Sequence, residues 1–317
     1  MTASTTPRPA AARSRLAAAG AIAVAGALLL TGCGDQTKNK DKGGDSSAGA
    51  PAPLYDKLPQ SVKSSRVVRV GSDIAFPPVE FMEKGKPTGL DVDIADALGK
   101  QLGVRFEFNN SKFDNLLAGI RSKRYDIAMS AMTDTKDREN GIDPEAKKKV
   151  TDGVDFVDYF QAGVSLYTAK GKTQGIKSWD DLCGKKIVVQ RATVSHDLAK
   201  EQSKKCGDKG ISIEAFDTDV LAQTRLRSGG ADAGASDFPV AAYAVKTSGG
   251  GNDFELVGDQ VQAAPYGIAL DKSQSQLRDA LQAALAAIIK NGEYQKILDK
   301  WSVAAGAVKE AKVNGGS

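Results

Sequence analysis

From Arg66 to Trp301 short apolar runs of strand length alternate with segments whose apolar residues recur every three or four positions, and this alternation constrains the fold more than any other feature. Val67–Val70 reads as a strand. Gly89–Leu102 reads as a helix with Leu90, Ile94, Ala97, Leu98 and Leu102 on one face. Val104–Phe108 is the next strand, Phe113–Ile120 a helix and Tyr125–Met129 a third strand. A β-α-β-α-β order predicts an α/β fold with a mostly parallel sheet flanked by helices.

The pattern then repeats. After a polar stretch over 139–153, expected to be an exposed insertion, Val154–Val157 and Ala162–Tyr167 read as two strands. A second unit follows, with strands at Lys186–Val189, Ile211–Phe216 and Ala231–Ala235 and helices at Thr193–Lys204, Val220–Arg227 and Phe238–Val245. Ala263–Leu270 is a last strand, and Gln274–Lys290 a helix lined by Leu277, Leu281, Leu285 and Ile288. Two such units joined near Gly163–Tyr167 and Gln262–Tyr266 predict two lobes that exchange chain at two crossover strands acting as a hinge. The first lobe takes residues 66–163 plus 266–305 and the second 168–261. The residues after Ala304 are expected to fray. Clefts between such lobes are favoured ligand sites.

The N-terminus follows an export plan. Arg8, Arg13 and Arg15 precede an apolar run from Leu16 to Leu30, too short and alanine-rich for a membrane span, so residues 1–32 read as a signal peptide. Leu30-Thr31-Gly32-Cys33 is similar to the bacterial lipoprotein box, which makes Cys33 the lipidated first residue, carrying acyl chains such as palmitate and tethering the protein to the outer face of the cell membrane. Residues 33–62, polar, small and proline-containing, read as a disordered tether. Loss of three arginines from 43 basic residues leaves 40 against 39 acidic ones, so no basic field argues for nucleic acid. In an oxidising compartment the two remaining cysteines, Cys183 and Cys206, are expected to form a disulfide. Those two cysteines and the sole histidine, His196, are too few for a metal site, and His196 at a helix start reads as a solvated surface residue. Asp91, Asp93 and Asp96 crowd the first turns of their helix, where its N-terminus and plain solvation account for them without a metal.

Ser130 to Arg138 holds the densest chemistry: a strand end, hydroxyls, a helix start and an arginine within nine residues. Thr133 or Thr135 is placed to cap a turn of helix containing Arg138. Backbone N–H groups, a hydroxyl and a guanidinium fork facing one space form half of a carboxylate clamp. The same nine residues also fit a surface turn whose arginine pairs with Asp134 or Asp137.

Across Val67–Trp301 the chain resembles the extracellular solute-binding proteins, family 3, which deliver polar amino acids to ABC importers. The resemblance rests on Val70-Gly71-Ser72-Asp73 with Pro77-Pro78-Val79-Glu80-Phe81, on Thr88 to Ala95, on Asp126-Ile127-Ala128 leading to Arg138, on Leu182 to Lys186, and on Ala231 to Asp237. It implies a two-lobed, periplasmic-binding-protein-like (type II) fold and a monomer that needs no cofactor. It implies that Arg138 grips a ligand α-carboxylate, assisted by Thr133 and the backbone of Ser130 and Ala131, while Asp237 receives the α-ammonium. Phe76 and Phe113 would sandwich the ligand side chain and Asp73 meet its polar end. Asp237 stands equally where an N-cap for Phe238–Val245 belongs. Arg191-Ala192-Thr193-Val194 departs from the family's Gly-Thr-Thr-like turn: Thr193 keeps an N–H and a hydroxyl for the carboxylate, Val194 removes a hydroxyl and Arg191 adds a charge.

The reading is of a binding protein without catalysis, taking a polar or cationic amino acid and partnering a membrane permease. The alternatives are a cyclohexadienyl-dehydratase-like enzyme on the same scaffold, with Glu80 and Asp73 as its acid candidates, and a ligand-sensing lipoprotein.

Overall fold

The structure, a computed structural model, describes residues 52–316. The expected signal peptide over 1–32, the lipidation site Cys33 and most of the tether lie outside these residues. The tether's far end does not. A 3₁₀ turn at Tyr55–Lys57 and helix α1 (Gln60–Ser65) are ordered, with Leu58 and Val62 buried and the Leu54 N–H on the Gln101 carbonyl at 2.9 Å. Leu54, Leu58 and Val62 are isolated apolar residues that the surrounding polar composition hides.

Strand β1 (Val67–Ser72) is followed by a small meander, β2 (Ala75–Phe76), β3 (Glu80–Glu83) and β4 (Lys86–Thr88). Helix α2 (Leu90–Leu102), β5 (Arg105–Asn110), α3 (Leu116–Arg121), β6 (Ile127–Ala128) and α4 (Lys136–Asn140) complete the first run. The polar stretch after it forms a hairpin, β7 (Ile142–Asp143) with β8 (Lys148–Lys149). Then come β9 (Asp155–Ala169), β10 (Lys186–Gln190), α5 (Val194–Lys205), β11 (Ser212–Phe216), α6 (Asp219–Arg227), β12 (Ala233–Asp237), α7 (Phe238–Thr247) and β13 (Phe254–Leu270). Helices α8 (Ser275–Lys290) and α9 (Glu293–Trp301) and strand β14 (Lys312–Val313) close the chain as described.

The main sheet runs β11-β10-β12-β9-β13-β6-β1-β5. At one end β1 lies parallel between β5 and β6, with Val70 opposite Phe108 and Ile127. At the other β10 lies parallel between β11 and β12, with Val188 opposite Glu214 and Gly234. Between them β9 and β13 form one antiparallel ribbon from Asp155↔Leu270 to Ala169↔Phe254, with register shifts between Val257 and Val261, between Val261 and Ala264 and between Tyr266 and Gly267. The two strands expected at 154–157 and 162–167 are thus one. Most of β9 is buried on both faces, which erases the polar alternation that marks a continuous strand.

Each parallel triplet carries apolar residues on both faces. On β10, Ile187 and Val189 pack towards Leu182 and Ala199, and Val188 packs on the opposite face with Ala222 and Leu226. In the first half, Val68 and Val70 join the core formed with α2 and α8, where Leu277, Leu281, Leu285 and Ile288 are fully buried. Each such side chain contributes about 1.5–3 kcal/mol. Gly71 is required on β1, because a Cβ there would enter the Tyr125 ring. The Cys183–Cys206 disulfide is formed, joining the segment before β10 to the end of α5.

The residues after 304 do not fray. Lys312 and Val313 pair with Asp158 and Val157 of β9. Nor is Asp91 solvated: it is fully buried and accepts from the Tyr159 hydroxyl at 2.7 Å and the Ala131 N–H at 3.1 Å. Asp93 takes the Trp301 indole at 2.7 Å and Lys300 at 2.6 Å. Among the described residues no group of three or more potential ligands could hold a metal.

Candidate functional site

Chain entering and leaving a parallel strand leaves its side chains at the strand's carboxyl end, and the site is built there from both triplets. Asp73 follows β1, Phe113 follows β5, Ser130 to Thr133 follow β6, Gln190 ends β10 and Asp237 ends β12. Asp73, Phe113, Ser130, Ala131, Thr133, Gln190 and Asp237 line one narrow cleft together with Phe76, Glu80, Arg138, Thr193 and Val194. All nine residues expected from the sequence to bind ligand meet in this one place.

Arg138 is fixed by backbone. Thr135 caps α4, its hydroxyl accepting the Arg138 N–H at 3.3 Å, and the guanidinium donates to the Thr133 carbonyl at 2.7 Å and to the Ala192 carbonyl at 3.0 Å. It lies over the Phe113 ring, 5.5 Å from the centroid. No salt bridge joins it to Asp134 or Asp137, so the surface-turn alternative does not hold: Asp134 turns inward and Asp137 takes Lys147 at 3.2 Å. Burial pulls the guanidinium's pKa below its usual value, against Asp197, Asp237 and Asp134, which support the charge.

Asp237 begins α7 without capping it through its side chain. Its carboxylate instead accepts from the Tyr266 hydroxyl at 2.7 Å. Burial raises it to about 6, with Asp219 adding to the rise and Tyr266 and Arg138 opposing it. Asp73, 4% exposed, is likewise raised to about 6 by burial, while its bond from the Gln190 amide at 2.5 Å holds it down and Asp219, Asp114 and Asp217 push it up. The Asp73 end of the cleft is therefore acidic beyond its own charge.

Two of the expected residues act through others. The Ser130 hydroxyl donates to Glu80 Oε1 at 2.7 Å and accepts the Asp73 N–H at 2.9 Å, so its proton is committed within the protein. Glu80 and Asp91 are fully buried neighbours, both with pKa raised chiefly by burial, and together they hold the Ser130–Ala131 turn from beneath. Ala131 there has φ of 48°. Thr193 caps α5, its hydroxyl accepting the His196 N–H at 3.2 Å and donating to the Gln190 carbonyl at 2.8 Å. Ala192 takes φ of 61°, a conformation an alanine holds at a cost of about 1–2 kcal/mol, and so aims its carbonyl at Arg138. Arg191 adds no charge to the cleft; it turns to the Ala215 carbonyl at 3.0 Å and to Asp217 at 3.7 Å. His196 is half-buried rather than solvated, and burial, with Lys200 and Arg191 nearby, lowers it to about 4.

Gln190, Glu80 as a buried support and Tyr266 were not read as site residues from the sequence. Position at the carboxyl end of a parallel strand would have found Gln190.

The profile of the bacterial extracellular solute-binding proteins, family 3, matches residues 68–304. The arginine-binding protein ArgT of Corynebacterium glutamicum is 32% identical over 270 residues, which cover 83% of this chain and 84% of that protein. The structure of an ancestral arginine-binding protein bound to arginine has 35% identity and a TM-score of 0.66, covering 74% of this chain and 97% of its own. An ancestral amino acid-binding protein, a precursor of cyclohexadienyl dehydratase, has 33% identity and a TM-score of 0.66, covering 76% of this chain and 97% of its own. This chain belongs to the bacterial extracellular solute-binding proteins, family 3.

Proposed function

We propose that the chain captures a polar or cationic amino acid, with arginine as first choice, by closing two lobes over it, and delivers it to the permease of an ABC importer. One observation carries the reading: Arg138, held by carbonyls of Thr133 and Ala192, shares the cleft with Asp237, and their charges stabilise each other. A zwitterion leaving water needs one fixed cation and one fixed anion, and this pair supplies both. Asp73, in the field of Asp114, Asp217 and Asp219, supports a cation at the ligand's far end, between the Phe76 and Phe113 walls. The names borne by the relatives, arginine-binding in two of the three, point the same way.

The lobes are those drawn from the sequence, 66–163 plus 266–305 and 168–261, with the β9–β13 ribbon as hinge. Leu30-Thr31-Gly32-Cys33 supports a lipid anchor at Cys33 that holds the protein outside the cell membrane; no helix among the described residues is long and apolar enough to cross a membrane. The dehydratase alternative is not favoured: Glu80 is engaged by Ser130, and the three relatives are all described as binding proteins.

A thermal-shift screen of the purified chain against the amino acids tests the assignment. A ligand at about 100 times its Kd adds about 2.7 kcal/mol of stability. Arginine is expected to give the largest rise; no rise with any amino acid, or turnover of prephenate or arogenate, would sink it.

A further inference from the structure

The family profile stops at residue 304, yet the chain beyond it returns to the underside of the site. After Lys312 and Val313 pair with β9, the Asn314 side chain accepts the Phe156 N–H at 2.8 Å and donates to Asp155 at 3.0 Å. Two successive glycine N–H groups then reach buried carboxylates: Gly315 donates to Asp158 at 2.9 Å and Gly316 to Asp134 at 2.8 Å. Asp134 is 0% and Asp158 2% exposed, and the second oxygen of each has no donor among the described residues. Lys136 adds a bond to the Asn314 carbonyl at 3.3 Å. A Cβ at residue 316 would collide with the backbone carbonyl of Asp134, so the contact is shaped for glycine.

We propose that residues 312–316 are a strap that positions Arg138 for its ligand. Asp134 sits between Thr133, whose carbonyl receives the guanidinium, and Thr135, whose hydroxyl caps the Arg138 N–H. The turn's backbone is tied to β13, the Asp134 N–H to the Pro265 carbonyl at 2.8 Å and the Met132 carbonyl to the Gly267 N–H at 2.9 Å, and the Asp134 side chain adds a separate attachment to the strap. Removal of the strap strips N–H donors from two buried carboxyl groups, and water must enter to solvate them. The turn carrying the carboxylate-gripping fork then loosens, and a misplaced fork forfeits its paired bonds. The strap thereby sets affinity from a segment outside the shared family region. This inference rests on the amino-acid reading of the same cleft.

The test compares the full chain with a version ending at Ala311 and with Gly316→Ala, which keeps the segment but obstructs its seat. Hydrogen exchange over 132–140 in ligand-free protein is expected to rise in both variants, with exchange over 186–237 unchanged. Calorimetry should show arginine binding weakened at least tenfold, while agmatine, which lacks the carboxylate, loses little. Unchanged exchange over 132–140, or equal losses for arginine and agmatine, would overturn the strap. Raised exchange in the variants with no arginine binding by the full chain would support the strap's hold on the turn and count against the amino-acid reading instead.

Discussion

The Gln190 amide donates to the Asp73 carboxylate across 2.5 Å, joining the last residue of β10 to the first residue after β1. The two parallel triplets therefore meet through a polar bond inside the cleft. Asp73 needs this partner, because it is buried in the field of Asp219, Asp114 and Asp217. A ligand ammonium or guanidinium at this point would satisfy the carboxylate more strongly than an amide does.

Asp73→Asn should discriminate between ligands rather than abolish binding. Arginine is expected to lose about 10–100-fold in affinity, the worth of one charge-assisted bond of roughly 1.5–3 kcal/mol. Glutamine, with a neutral amide at its end, should lose much less. Parallel titrations of both ligands check this, and an equal loss for the two would place the ligand side chain elsewhere.

Arg138→Ala removes the clamp's cation and leaves a ligand carboxylate buried without a partner, at a cost of roughly 3–5 kcal/mol. Affinity should fall by at least about a hundredfold. Arg138→Lys keeps the charge but not the planar fork, and should fall between the two. Near-native calorimetric affinity in the alanine variant would contradict the assignment.

Binding of a cationic amino acid should weaken as pH falls through about 6. Asp73 and Asp237 are each raised to about 6 in the unliganded protein, so below that pH both hold protons that a cationic ligand must displace. Binding releases those protons, and at pH 5 each carboxylate should lower the affinity by about tenfold. Calorimetry in buffers of different ionisation enthalpy reads the release directly; proton uptake near pH 6 would reverse the argument.

Asp219→Asn should stabilise the protein at neutral pH. The carboxyl group is 1% exposed, one oxygen has no donor among the described residues, and burial raises it to about 6. A raised carboxyl pKa gives stability that is present at low pH and is lost as pH rises through the folded value. The asparagine variant escapes that loss, so its advantage should be absent near pH 4 and reach on the order of 2 kcal/mol at pH 7.5. Chemical denaturation at both pH values measures it.

The alternation of Val-rich strands with helices such as 90–102 and 275–290 was legible because each element carries its own period. The cleft lining was legible in part: Asp73, Arg138 and Asp237 stand in the quoted family motifs, and with Phe76 and Phe113 they line one cleft. Gln190 escaped, since only its place at the carboxyl end of a strand marks it, and its role comes from Asp73, 117 residues away in sequence. Asp91 misled for the opposite reason. Its position in a first helical turn explains an aspartate adequately, and only Tyr159 and Ala131, brought by distant strands, show that it is a buried support. The order of residues 312–316 could not be read from Asn-Gly-Gly, because its partners are carboxylates contributed by other segments.

The pairing of Ala169 with Phe254 closes the ribbon at its far end. Everything from 170 to 253 leaves and returns through neighbouring residues, carrying Gln190, Thr193 and Asp237 with it. Arg138, Phe113 and Asp73 stay in the remainder of the chain. One wall of the cleft is thus carried by a single uninterrupted stretch with adjoining ends, a cassette whose exchange would also replace Ala192, the carbonyl that steadies Arg138 from across the cleft.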